Sequence, residues 1–237
     1  MTLVSLFKRK FKPGSSLRWV LGGLYHHPWY FPLTLLRSVI CNMKLCGYYW
    51  PIQVRLAIGQ KLFVYSSPFQ NVRISGVLSI NSRRGQFTPS VITLESGSAL
   101  IISGDYEIGP GVNIYISKDA VVKIAGRQKH SSCGMTSDVR IMAEKSIEIG
   151  YDSLISWDVL ITDSDWHDIE GVQRSAAVVI GNKVWISHGV SILKGAVVPS
   201  GCIISSKSLV ASSIEVENAL VAGIPAVVKR TGVEWTP

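Results

Sequence analysis

From Ile180 onward an aliphatic side chain returns at every sixth position, at Ile180, Ile186, Ile192, Val198, Ile204 and Val210, and small residues follow several of them, Gly181, Ser187, Ser205 and Ala211. An earlier register runs through Ala143, Ile149, Ile155 and Ile161, with Gly150 and Ser156 in the following position. A period of six fits neither the 3.6-residue face of a helix nor one unbroken strand, since an alternating strand of about fifteen residues would be exceptional. The pattern predicts short strands separated by regular corners. The aliphatic column points to a common axis, and the small neighbours leave room for the backbone to turn. One such coil cannot bury its own apolar face, so stacked coils must supply one another's core.

Upstream the repetition is looser. Residues 52–128 contain Ser98-Ala99-Leu100-Ile101-Ile102, Ile108-Gly109-Pro110-Gly111-Val112-Asn113-Ile114 and Ala120-Val121-Val122-Lys123-Ile124, which read as further strands with turns between them. The solenoid is expected to begin near Val54, with irregular early coils longer than eighteen residues. Residues 1–51 differ in character: Pro13-Gly14, Pro28 and Pro32 punctuate an aromatic cluster of Trp19, Tyr25, Trp29, Tyr30 and Phe31, and Leu33 to Cys46 suit a short helix after Pro32. The chain therefore divides into an N-terminal extension, 1–51, and a parallel β-helix, 52–237. The extension reads either as a cap on the open end of the solenoid or as a membrane-surface contact, the cap being preferred.

Charge sharpens that division. Residues 1–94 hold twelve Lys and Arg and no Asp or Glu, whereas residues 95–237 hold twelve basic and sixteen acidic residues. An N-terminal third this positive is suited to an anionic leaflet or a lipid-linked glycan, although the charge also serves solubility. No recognised nucleic-acid-binding motif accompanies it, so nucleic acid is not an expected partner. The four cysteines, Cys41, Cys46, Cys133 and Cys202, lack metal-like pairing and read as reduced thiols. The apolar stretch from Pro28 to Pro51 contains Arg37, Asn42 and Lys44, which argues against a spanning helix, and no secretion signal is evident. The expected location is cytoplasmic, with peripheral contact to the inner face of the membrane.

The segment IGNKVWISHGVSILKGAVVPSGCIISSKSLVASSIEVENALVAGIPAVVKR, residues 180–230, resembles the C-terminal coils of the hexapeptide-repeat acyltransferases. VWIS stands where that family commonly has VWIG, and LVAGIPAVVKR resembles its terminal glycine, proline and basic residues. With IEIGYDSLISWDVLITDSDWHDI at 147–169, the resemblance is to the branch that acetylates galactosides, maltose, capsule and O-antigen sugars. It covers about the last hundred residues well and the remainder weakly. It implies an all-β, left-handed parallel β-helix, a homotrimer with active sites between subunits, acetyl-CoA as donor, a sugar or glycan as acceptor, and no metal.

Between Ile161 and Ile180 the register of six is interrupted, so Asp163 to Ala177 should project as a loop, where functional residues tend to lie. A sugar hydroxyl is a poor nucleophile near neutral pH, and an imidazole can take its proton as it attacks a thioester. The resemblance gives that role to His167. An acceptor on the second ring nitrogen would fix its tautomer, with Asp165 the first candidate and Asp163 and Asp168 also at hand; taken singly, each reads more readily as a turn former satisfying loop amides. Trp166 either stacks on a pyranose or anchors the loop, and Asp163 and Thr136 complete the expected acceptor contacts. The resembling galactoside and maltose enzymes carry an asparagine upstream of their histidine, whereas this chain reads Gly134-Met135-Thr136-Ser137-Asp138, so its acceptor need not be a simple galactoside.

For the donor, the resemblance places acetyl-CoA along residues 185–230. Trp185, Ser187, His188, Ser205 and Ser206 would lie beside the pantetheine arm and thioester, with an amide near Ser187 for the oxyanion. Lys207, Lys229 and Arg230 would meet the phosphates. Three rivals remain: N-acetylation of an amino sugar, a non-enzymatic membrane-associated scaffold, and a zinc enzyme of the same fold, whose three-histidine pattern His130, His167 and His188 do not reproduce.

Overall fold

The computed structural model describes residues 15–66, 71–82, 86–129 and 133–236. The basic run Lys8-Arg9-Lys10 and Lys12, the pair Pro13-Gly14, and His130 lie outside them. The rest is a left-handed parallel β-helix whose three faces are a nine-stranded sheet A, a seven-stranded sheet B and a six-stranded sheet C. Each full coil visits A, B and C in that order. Strand pairing is parallel except at the last hairpin, where Leu220–Gly223 pairs antiparallel with Ala226–Arg230. Both repeat registers point inward: Ile155, Ile161, Ile186, Ile192, Val198, Ile204 and Val210 are wholly buried. Each contributes on the order of 1.5–3 kcal/mol of apolar burial.

Trp185 pairs with Ile203, eighteen residues on, which is the length the strict repeat requires. Val54 pairs with Leu78 and Leu78 with Tyr106, so the early coils are longer, as the looser pattern predicts. The corners between sheets A and B explain the residue types found there. In the last five of them the third residue is Gly111, Asp138, Asp158, Gly189 or Lys207, and all five have left-handed backbone, with φ of 73, 55, 58, 67 and 61°. Glycine and aspartate tolerate that conformation best among ordinary residues.

Among the described residues two helices precede the first coil, α1 (Ser16–His26) and α2 (Phe31–Cys46). Helix α2 begins two residues before the predicted Leu33, because a proline fits the first turn, and Gly47 ends it with φ 79°. Helix α1 is an addition to the sequence reading. The Ser15 hydroxyl caps its start by accepting from the Arg18 amide. The buried side of α2 answers a specific need. The first strand of sheet A, Val54–Leu56, has no coil beneath it, and its amides would lack acceptors. Asn42 Oδ1 accepts from the Gln53 and Val54 amides at 2.8 and 3.0 Å, and Ser38 Oγ accepts from the Leu56 amide at 3.1 Å. Ser16 Oγ both accepts from the Ile52 amide and donates to its carbonyl. Three polar side chains thus replace the missing coil at the open sheet edge.

Candidate active site

The interruption after Ile161 is a narrow hairpin at the corner between sheets B and C. Ser164 bridges Ser175 in antiparallel fashion, the Asp165 amide donates to the Arg174 carbonyl at 3.0 Å, and Ile169 bridges Val172 near the tip. Side chains from neighbouring coils fix its arms. Arg174 reaches Glu144 through two nitrogens, Nη2 to Oε1 at 2.6 Å and Nε to Oε2 at 3.1 Å, and the Ser164 hydroxyl donates to the same carboxylate. Burial alone would raise the Glu144 carboxyl, but the Ser164 hydroxyl and the Arg174 guanidinium outweigh it and hold the group below the usual glutamate range. Lys194 binds Asp165 and donates to the Gln173 carbonyl.

The hairpin's own residues divide between holding it and standing free. Asp163 is fully buried, its two oxygens accepting from the Glu144 and Lys145 amides at 2.7 and 2.8 Å. Desolvation raises its carboxyl, and these amide bonds only partly offset that. It fastens the preceding corner and does not face an acceptor, which corrects its assignment as a substrate contact. Trp166 donates its indole N–H to Thr162 Oγ1 at 3.0 Å and lies 5.6 Å from the Tyr115 ring, so it anchors the loop. Asp165 is committed to Lys194 and Asp168 contacts Arg174 at 3.4 Å. Neither orients His167, so the pairing expected for Asp165 is not formed in this chain. His167 itself is exposed and, among the described residues, makes no hydrogen bond or ion pair. The result is a rigid arm presenting one uncommitted imidazole.

The residues expected at the donor gather elsewhere. Thr136, Ser156, Ser187 and Ser205 occupy the first place of successive A-to-B corners, each amide donating to a carbonyl of the coil above, as in Ser187 to Ile204 at 2.9 Å. Thr136 belongs to this column rather than to the corner of His167, and its hydroxyl is buried with no partner among the described residues. The next place in the same corners holds Trp157, His188 and Ser206. The rings of Trp157 and His188 stack with centroids 5.1 Å apart and planes 20° from parallel. Lys207 stands beside them, 3.8 Å from Asp158. Trp185 lies on the outer face of sheet A, its indole N–H 3.4 Å from Ser156 Oγ and its ring 6.0 Å from Trp235. Lys229 and Arg230 are exposed on the final antiparallel strand of the same sheet.

Sheet B separates the two groups. A side of about six residues at roughly 3.3 Å each spans close to 20 Å, too far for a corner-borne imidazole to reach the opposite corner. Sequence reasoning missed Tyr115, Glu144 and Lys194, which touch the hairpin from other coils and carry no local signal. The Trp157–His188 stack was accessible from register, since both follow a core isoleucine by two positions. Burial pushes the Cys41 and Cys133 thiols up to about 11, which removes them as thiolate nucleophiles near neutral pH. No group of three or more His, Cys, Asp and Glu side chains is assembled for a metal among the described residues.

No protein-family model matches the chain. It is 33% identical over 102 residues to WbbJ of Escherichia coli (strain K12), provisionally named a lipopolysaccharide biosynthesis O-acetyl transferase, a match covering 37% of this chain and 52% of that one. It is 28% identical over 147 residues, 60% of its length, to an uncharacterized 24.8 kDa protein in the cps region of Klebsiella pneumoniae, of which 66% is covered. The matches thus span about half to two thirds of these relatives. Among solved structures, the polysialic acid O-acetyltransferase OatWY superposes with a TM-score of 0.55 at 22% identity, covering 78% of this chain and 90% of that one, and establishes the shared fold. The likeness to hexapeptide-repeat sugar O-acetyltransferases read from residues 147–230 is matched by these relatives.

Proposed function

We propose that this chain is an O-acetyltransferase that carries acetyl from acetyl-CoA to a hydroxyl of a cell-surface glycan or its precursor, with His167 as general base. The observation that carries this reading is the uncommitted His167 imidazole, held out on a hairpin fastened by Glu144, Arg174, Lys194 and Asp165. The relatives named for surface-polysaccharide acetylation support the acceptor class, and the column of small residues at Ser187 and Ser205 leaves room for an extended thioester cofactor.

In the reaction the neutral imidazole takes the proton of the sugar hydroxyl as its oxygen attacks the thioester carbonyl. A backbone amide near Ser187 receives the developing oxyanion. Collapse of the tetrahedral intermediate forms the ester and expels the CoA sulfur, which recovers the proton from the imidazolium. Direct transfer of this kind suits a site without an activated thiol.

The separation of base and donor wall favours a homotrimer in which the B-to-C corner of one subunit meets the A-to-B corner of its neighbour. The partner that orients the second nitrogen of His167 then comes from across that interface. The test is incubation of the full chain with acetyl-CoA and isolated capsule or O-antigen glycans, followed by mass and linkage analysis. O-linked acetyl on a glycan hydroxyl, with one CoA released per ester, is the expected product. Acetyl found only on amino-sugar nitrogen, or no transfer to any glycan, would overturn the reading.

A further inference from the structure

The N-terminal helices present a surface that the acetyl-transfer chemistry does not use. On α2 the buried side faces the first coil, while Leu33, Leu36, Ile40 and Met43 are 53, 55, 46 and 53% exposed. At about 100° per residue these four fall within an arc of roughly 80°, and Lys44 and Arg37 follow along one edge of it. Aromatic side chains flank the stripe at both ends: Trp29 and Tyr30 before the helix are 89 and 70% exposed, and Tyr49 and Trp50 after it 70 and 47%. Beside the cationic edge runs a groove of about 380 Å³, lined by Arg37, Lys44 and Lys61 together with Ile40, Phe63 and Tyr65.

We infer that this face docks flat on an anionic phospholipid bilayer, the α2 stripe entering the interface and Arg37, Lys44 and Lys61 meeting lipid phosphates. Three observations select that occupant. No described helix is long and apolar enough to cross a membrane, so the 16-residue α2 can only lie along one. Residues 1–94 carry no acidic side chain at all, so a second copy docking through the same face would set cation against cation, whereas an anionic leaflet is complementary. Amphipathic aromatics at both ends of an apolar stripe match the polarity gradient of a headgroup layer. The carboxylate nearest in the adjoining depression, Glu95, is already taken by the Tyr115 and Ser117 hydroxyls and the Lys118 amide, which leaves the groove cations uncompensated by it.

Vesicle flotation of the full chain tests this. The protein should float with vesicles of phosphatidylglycerol and phosphatidylcholine and bind phosphatidylcholine alone on the order of a hundredfold more weakly, three surface cations each contributing about fivefold. The double variant Leu36→Glu/Ile40→Glu should lose flotation while keeping its circular dichroism and its acetyl transfer to a soluble acceptor, because both side chains are about half exposed and outside the buried core. A milder pair, Arg37→Gln/Lys44→Gln, should weaken binding to the anionic vesicles only. Equal binding to neutral and anionic vesicles would overturn the proposal. So would failure to float at all, with or without self-association that Leu36→Glu/Ile40→Glu disperses, the latter showing that a second copy covers the face. Transfer activity is read separately, so loss of this proposal leaves the enzymatic reading untouched.

Discussion

Gly109 shows how closely the coils approach at the A-to-B corner. A Cβ built there would lie 1.2 Å from the Thr136 carbonyl oxygen, a backbone atom that cannot turn aside. Gly109→Ala should cost about 1–3 kcal/mol or more in urea unfolding, as overpacking against fixed backbone does. Asp163 makes the complementary point. Asp163→Ala would remove a buried carboxylate and leave the partly buried Glu144 and Lys145 amides without that acceptor, and a loss of roughly 1–3 kcal/mol is expected in the same measurement. The hairpin that carries His167 was legible in the sequence because the interrupted repeat marks one place on the chain. The fates of Asp163, Asp165 and Trp166 were not, because each is decided by a partner at least four residues away and mostly on another coil, such as Lys194 for Asp165.

At the level of elements, the hairpin and α2 are both held by polar side chains that substitute for missing coil. Glu144 gives the hairpin a defined dependence on pH. Its folded carboxyl lies below the ordinary glutamate value, so its contribution is fully present above about pH 4.3 and disappears as pH falls through the lower folded value. Thermal unfolding followed between about pH 3 and 5 should therefore steepen in the native chain and flatten in Glu144→Gln. On the other end, Ser38→Ala and Asn42→Leu should each destabilise the first coil by roughly 1–3 kcal/mol, read as faster amide exchange at Val54 and Leu56 than at Ile186. The aliphatic register revealed the coils themselves, since burial of every sixth residue follows directly from corner spacing. It was silent about α1 and about the capping of sheet A, which rest on Ser15, Ser16, Ser38 and Asn42, polar residues without period.

For the whole molecule, the three-sided cross-section sets the His167 hairpin and the Ser187 column on different edges, so the site proposed above requires the edges of two subunits to meet. Sedimentation should give three times the chain mass, and a monomer active at high dilution would contradict the shared site. If sites are composite, mixing His167→Ala subunits with Trp185→Ala subunits should restore about a quarter of the sites, each drawing its loop and its wall from different parents. The most direct test of the account is the steady-state rate of acetyl transfer by His167→Ala on the best acceptor. If His167 is the general base, kcat should fall at least about a hundredfold, the usual contribution of such a group, with assembly and circular dichroism unchanged. A folded His167→Ala protein that transfers acetyl at the native rate would contradict that role.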